Sequence, residues 1–171
     1  MANWIRISLL AGALSGGLIV LAMPKPDFGY VAYLCLVPGL TLLPGPGRYR
    51  ALLIGGAAGV VSCAGKVYWI AETLANYGGL SFAVGAFTTA LLTVYLSLYI
   101  VAFFLLVSRF DPASALFPWV CASAWVTLEW LQGHLLTGFP WMLLGYSQHQ
   151  MLPILQIARI CGVYGVSFLI V

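Results

Sequence analysis

The sequence predicts an all-α protein, a polytopic transmembrane helical bundle, and three observations carry that prediction. Of the 171 residues, 63% are hydrophobic and only 6% are charged, and the mean hydropathy is +1.04. A soluble domain has about 25% charged residues, so this chain lacks the polar shell that a water-facing globule needs. A bilayer accepts such a surface. The apolar runs are also long and unbroken, which favours helices over the short alternating segments of a membrane β-barrel.

The apolar segments divide the chain into about six helices that are long enough to cross a hydrocarbon core. The first begins after Arg6, and at 1.5 Å per residue it is about 25 Å long. A signal peptide cleaved near Ala22 is the less favoured alternative, because the apolar run is long and continues almost directly into the next one. Pro44-Gly45-Pro46-Gly47 is a strong helix breaker. The predicted spans are residues 7–23, 28–43, 51–70, 80–107, 113–130 and 152–171.

The distribution of basic residues predicts that the N-terminus is cytoplasmic. Arg6, Arg48, Arg50 and Arg109 then all face the cytoplasm, and only Lys25 lies in an outer loop. The opposite orientation violates the positive-inside rule at four of these positions. The segments predicted on the outer face are residues 24–27, 71–79 and 132–151.

Small residues predict how the helices pack. Gly12 and Gly16 form a G-x-x-x-G pair, as do Gly55 and Gly59. Such pairs let two helix backbones approach closely. Glycine is common in membrane helices, so we expect these pairs to act within one bundle rather than as a dimer face.

No residue pattern in the chain predicts catalysis, a cofactor or a metal site. His134 and His149 have no neighbours at metal-ligand spacing, and the chain lacks a nucleophile elbow, a P-loop and a dinucleotide fingerprint. The net charge of +3 includes no basic cluster, which argues against nucleic-acid binding. Four cysteines lie in apolar segments without a C-x-x-C motif, and we expect buried, unbonded thiols: Cys35, Cys63, Cys121 and Cys161.

Three charged residues lie within or at the ends of apolar segments. Glu129, near the outer end of the fifth span, is either a functional carboxylate or a hydrogen-bonding partner of the following loop, and the second interpretation is slightly favoured. Lys66 is expected to snorkel to the headgroups, with pairing to Glu72 or Glu129 as open alternatives. Arg159 lies about two turns into the last span and needs a carboxylate, a carbonyl or a polar cavity, with no partner evident from the sequence.

Residues 131–151, here called the insert, are predicted to form an outer segment of re-entrant type. Pro140 pushes Phe139 toward an extended conformation, so a simple helix end is disfavoured. An ordinary aromatic belt explains Trp69 and Trp130 well, but it explains Phe139-Pro140-Trp141 less well. Non-helical backbone at membrane depth must be buried in protein or line a cavity.

The stretch EWLQGHLLTGFPWMLLGYSQ, residues 129–148, resembles the signature of the bacterial apolipoprotein N-acyltransferase family, which reads E-[FW]-L-R-G, then T-G-F-P-W and G-Y-S-Q. Three further stretches resemble family segments, so the resemblance covers nearly the whole chain: PKPDFGYVAYLCLVPGL, YWIAETLANYGGL and LQIARICGVYGVSFLIV. Gln132 departs from the pattern, because the family commonly has arginine there.

The resemblance implies the last step of bacterial lipoprotein maturation, in the inner membrane. The family transfers an acyl chain from a phospholipid to the amino group of the diacylglyceryl-cysteine at an apolipoprotein N-terminus, through a thioester on a catalytic cysteine. Its fold joins a membrane bundle to a periplasmic nitrilase-like domain that supplies a Glu-Lys-Cys triad. This sequence stops at Val171, inside the bundle. We therefore expect the membrane domain alone, as a fragment, a truncated gene product or half of a split protein.

The resemblance implies no catalytic residue, metal or cofactor in this chain, which alone is expected to be inactive. Its implied partners are the phospholipid donor, the apolipoprotein and a missing or separate nitrilase-like domain. A small non-catalytic membrane scaffold or a transporter subunit is the alternative; transport is disfavoured because only Arg159 lies deep. We expect the insert to line the lipid entrance, with five lipid-binding residues: Phe139, Trp141, Tyr146, Gln148 and Glu129.

Overall fold

A computed structural model describes residues 2–44 and 47–171, and within them every regular element is a helix. The predicted all-α class is therefore confirmed. Three short 3-10 helices cover Gly29–Leu34, Leu135–Thr137 and Leu144–Gln148. The α-helices are α1 (Ala2–Ala22), α2 (Val37–Thr41), α3 (Gly47–Val67), α4 (Trp69–Tyr77), α5 (Phe82–Val107), α6 (Phe117–Gln132) and α7 (Leu152–Ile170).

The chain is a multi-pass membrane protein. Four helical segments of the described chain are long and apolar enough to cross a bilayer: Asn3–Ala22, Gly47–Tyr77, Phe82–Val107 and Leu152–Ile170. Residues Gly29–Thr41 form a shorter apolar segment, and α6 has 16 residues. The count of about six spans and the cytoplasmic N-terminus stay predictions.

Two segments differ from the sequence-based expectation. Residues 28–43 do not form one helix but a 3-10 helix and then α2. Pro38, in the first turn of α2, has no N–H to donate and so favours a new helix start over continuation. Residues 71–79, expected as a loop, are largely helical, because α4 follows α3 after a single break at Tyr68. The Gly45-Pro46 part of the predicted breaker lies outside the described residues.

Helix α3 is the centre of the bundle, with α1 and α5 packed against it. A Cβ added at Gly16 would lie 2.6 Å from the carbonyl oxygen of Ala58 in α3. A Cβ added at Gly59 would lie 2.9 Å from the Cβ of Ser97 in α5. Gly12 and Gly55 are equally close to α3 and α5 respectively. The prediction that both glycine pairs serve packing within the bundle is confirmed.

The charged residues separate toward the two ends of the bundle. At the end opposite the insert, Arg50 donates to the carbonyl oxygens of Leu42 at 3.3 Å and Pro44 at 2.7 Å. Its guanidinium also lies 5.9 Å from the ring centroid of Trp4. Arg48 and Arg109 line one cavity at this end. Arg159 lies exposed on α7, and the expectation that it finds a carboxylate, a carbonyl or a polar cavity stays a prediction.

The other end of the bundle, here called the insert end, joins three segments that are distant in the sequence. The indole rings of Trp69 in α4 and Trp141 in the insert lie 5.7 Å apart. Asp27, in the loop after α1, accepts a hydrogen bond from Gln150 and lies 3.6 Å from Nδ1 of His149. Two of the three segments predicted to share one face, residues 24–27 and 132–151, therefore meet in space, and Trp69 lies directly before the third.

Candidate functional site

The insert has a strained, non-helical backbone. Between its two 3-10 helices the chain is irregular, and several non-glycine residues have positive φ. Backbone strain of this kind persists where the surrounding structure fixes it, and it clusters at functional sites. All five positive-φ non-glycine residues of the described chain lie at the insert end: Lys25, Asp27, Leu136, Thr137 and Met142.

A buried carboxyl group anchors the middle of the insert to α6. Glu129 is only 6% exposed, and its Oε1 accepts hydrogen bonds from Nε1 of Trp125 at 2.9 Å and from the backbone N–H of Leu144 at 2.7 Å. The interpretation that Glu129 hydrogen-bonds the following loop is confirmed. Because Leu144 is fifteen residues away, this bond fixes the position of the insert and not only the end of α6.

A second anchor is Gln148, whose side chain is fully buried. Its Nε2 donates to the carbonyl oxygen of Gly29 at 2.7 Å and to Oγ of Ser147 at 2.9 Å. Its Oε1 accepts a hydrogen bond from the Tyr33 hydroxyl at 3.4 Å. The end of the insert is thereby tied to the 3-10 helix that follows α1.

Two further side chains hold the insert backbone, and no sequence pattern indicates either contact. Ser167 in α7 accepts a hydrogen bond from the N–H of Gly145 at 2.9 Å. Gln132, where the family commonly has arginine, donates from Nε2 to the carbonyl oxygen of Phe139 at 2.9 Å. In the sequence, Ser167 is only a serine within an apolar helix, and Gln132 is only a departure from the family motif. Neither feature indicates that the side chain binds the backbone of the insert.

Three aromatic side chains, two of them partly buried and one half exposed, lie together at the insert end and are here called the aromatic rim (Trp69, Phe139 and Trp141). The rings of Phe139 and Trp141 lie 6.2 Å apart, and Trp141 is 53% exposed. A cavity of about 260 Å³ opens beside the rim, between Lys25, Lys66 and the tryptophans. Its lining is Pro24, Lys25, Gly65, Lys66, Tyr68, Trp69, Trp141 and Met142.

The five expected lipid-binding residues thus divide by position. Phe139 and Trp141 are brought together in the rim. Glu129 and Gln148 are buried anchors that face other protein groups. Tyr146 is half exposed and lies near Tyr164 of α7. The structure thus places the five residues in different surroundings, and their lipid-binding role stays a prediction.

The rim cavity carries a positive charge at its edge. Lys25 donates a hydrogen bond to the Tyr68 hydroxyl, and its ammonium lies 5.0 Å from the centre of that ring. The hydrogen bond to Tyr68 raises the pKa of Lys25 above its usual 10.5, and the nearby charge of Glu72 acts in the same direction. Lys25 therefore stays cationic at any physiological pH.

The described residues contain no group of three or more His, Cys, Asp or Glu side chains placed to hold a metal. Cys35, Cys63 and Cys121 are buried, as expected, whereas Cys161 is exposed on α7 and differs from that expectation. All four are free thiols.

Comparison with known proteins identifies the family to which this chain belongs. The family model described as "Apolipoprotein N-acyltransferase N-terminal domain" matches residues 15–171, including the whole insert and its anchors. The chain belongs to this family. The similarity that the insert signature indicated is therefore confirmed over nearly the full sequence.

Several relatives carry the name apolipoprotein N-acyltransferase. The protein of Geobacter metallireducens is 36% identical over 165 residues, which are 96% of this chain and 32% of that protein. The protein of Vibrio cholerae is 34% identical over 163 residues, 94% of this chain and 32% of its own length. The protein of Haemophilus influenzae is 35% identical over 159 residues, which are 93% of this chain and 30% of that protein. The chain spans about a third of the length of these relatives.

Proposed function

We propose that this chain is the membrane domain of an apolipoprotein N-acyltransferase and that it presents the phospholipid acyl donor. In the whole enzyme, the acyl chain passes to the diacylglyceryl-cysteine at the N-terminus of an apolipoprotein. The observation that carries this proposal is the family match, which covers the insert together with the helices that hold it. The proposed location is the bacterial inner membrane, with the insert end on the outer face.

The aromatic rim has the chemistry of a lipid-contact surface. Tryptophan rings favour the headgroup level of a bilayer, where one edge is apolar and the other is wet. Trp141 is half exposed and packs against Trp69 and Phe139. The adjoining cavity of about 260 Å³ has cationic Lys25 at its edge, which suits the boundary between an acyl chain and a phosphate group.

The buried anchors give this surface the rigidity that acyl transfer requires. Reacting groups must be held within about 0.5 Å of a productive geometry, so a site needs support from locked neighbours. Glu129, Ser167 and Gln148 bind successive parts of the insert. In the family the nucleophile belongs to a nitrilase-like domain; we infer that this chain contributes lipid presentation rather than the nucleophile.

The test is acyl transfer by a complete enzyme that contains this chain. We expect Trp141→Ala to lower the transfer rate at least tenfold, and Tyr146→Ala to lower it less. Trp119→Ala is the matched control, because Trp119 is 63% exposed but lies at the start of α6, at the opposite end from the insert. The rate of acyl transfer by the Trp119→Ala variant should change less than twofold. Normal transfer by Trp141→Ala at normal expression would refute the proposal and favour a scaffold.

A further inference from the structure

A small internal cavity lies beneath the insert, where α1, α3, α5 and α6 converge. Its volume is about 30 Å³. Its walls are largely apolar, with Met23, Phe103 and Trp125 among them, yet Lys66 and Glu129 also line it. Two side chains of opposite charge therefore line one small, partly open cavity within the helical bundle.

The two oxygens of the Glu129 carboxyl group have different surroundings. Oε1 accepts two N–H hydrogen bonds, from Trp125 and Leu144. Oε2 is buried and has no hydrogen-bond partner among the described residues. The Ser167 hydroxyl lies beside the same carboxyl group, but it does not reach hydrogen-bond geometry with Oε2. A buried acceptor without a donor is costly, so Oε2 calls for a donor from the cavity.

Lys66 is the group of opposite charge on the cavity wall. It lines the same cavity as Glu129, although no direct ion pair within 4.0 Å joins these two side chains in the described structure. A separation beyond direct contact leaves room for a bridging molecule. A water molecule needs about 10–15 Å³ of such cavity volume and two or more polar partners. The cavity of about 30 Å³, which both side chains line, therefore accommodates about two water molecules.

We propose that ordered water fills this cavity and bridges the Lys66 ammonium to Oε2 of Glu129. The hydrated pair holds the Glu129 carboxylate in the orientation that accepts the Leu144 N–H. Lys66 thereby becomes a positioning residue for the insert, although it lies on α3 and touches the insert only at cavity walls. This inference concerns the architecture of the insert and stands whether or not the rim binds a phospholipid.

The water is tested first in the unaltered chain in nanodiscs, by radiolytic hydroxyl-radical labelling read by mass spectrometry. Ordered internal water generates radicals next to buried side chains. Met23 is 2% exposed and lines the cavity, so we expect it to be oxidised at a rate within tenfold of Met151, which is 41% exposed. Phe104 is fully buried and does not line the cavity, so it should stay unlabelled. An unlabelled Met23 overturns the proposal.

The coupling is tested by hydrogen exchange at the Leu144 amide in a double-mutant cycle of Lys66→Met and Glu129→Gln. Each single variant should accelerate exchange at least tenfold, and the double variant should add less than twofold, because either change breaks the same bridge. Lys25→Met is the matched control, since Lys25 lies at the same end but does not line the inner cavity. The proposal is overturned if Lys66→Met and Glu129→Gln have additive effects on exchange at the Leu144 amide. It is also overturned if the Leu144 amide exchanges at the same rate in Lys66→Met as in the control Lys25→Met.

Discussion

Replacing Gln148 by leucine should destabilise the protein although the substituted side chain has similar size and greater hydrophobicity. The wild-type amide donates to the Gly29 carbonyl at 2.7 Å and accepts from the Tyr33 hydroxyl at 3.4 Å. Leucine provides neither group, and the Gly29 oxygen loses its short bond in a site where Gln148 is fully buried. Leaving one buried acceptor unsatisfied costs about 1–3 kcal/mol. The Tyr33 bond is long, so we expect a total of about 2 kcal/mol.

The assay is the free energy of unfolding of the chain in mixed micelles, followed by circular dichroism during denaturation. A loss of about 2 kcal/mol corresponds to a fall in Tm of roughly 4–8 °C for a domain of this size. Gln156→Leu is the matched control, because Gln156 lies exposed on α7 and should change stability by less than about 0.5 kcal/mol. Equal stabilities for Gln148→Leu and Gln156→Leu would show that Gln148 is not an anchor.

Two further predictions concern helix packing and the edge of the rim cavity. Gly59→Leu should lower the free energy of unfolding by about 1–3 kcal/mol or more, because its side chain meets Ser97 of α5. Gly56→Leu in the same helix meets nothing within 4 Å and should be neutral; similar losses for both would contradict the packing. The pKa of Lys25, measured by NMR, should exceed 10.5 and fall in Tyr68→Phe, since Tyr68 is the main cause of the rise. The Lys25 contact is thus complete below pH 10.5 and lost as pH rises through the higher folded pKa; an unchanged pKa in Tyr68→Phe argues against it.

The helical class and the main packing contacts were predictable because each depends on local composition. A chain with 6% charged residues has few folds open to it, and long apolar runs have only one regular way to satisfy their backbone inside lipid. Gly12 and Gly59 could be assigned to helix contacts for a similar reason, since a side chain at either position would collide with a neighbouring helix. Pro140 likewise indicated a non-helical insert from its own covalent geometry.

Helix boundaries were less predictable than the helical class. Residues 71–79 were expected to form an outer loop because they lie between two predicted spans. Alanine, glutamate and leucine are nevertheless good helix formers, and packing of α4 on α5 stabilises the helix. In residues 28–43 the hydropathy indicated one span, but hydropathy does not register that Pro38 begins a new helix.

The pairing of the polar anchors was beyond sequence reasoning because their partners are remote. Gln148 bonds a carbonyl group 119 residues away, and the Gly145 N–H bonds a side chain 22 residues away. No local sequence pattern indicates hydrogen-bond partners that lie so far apart along the chain. Once they are known, Glu129 and Gln148 are explained as anchors of the insert, since their hydrogen-bonding groups are directed at other parts of the protein, and a role of either in lipid contact stays a prediction. Trp141 is 53% exposed in the aromatic rim, whereas Gln148 is fully buried. Changes at Trp141 should therefore alter the handling of lipid, whereas changes at Gln148 should alter stability first and acyl transfer only as a consequence.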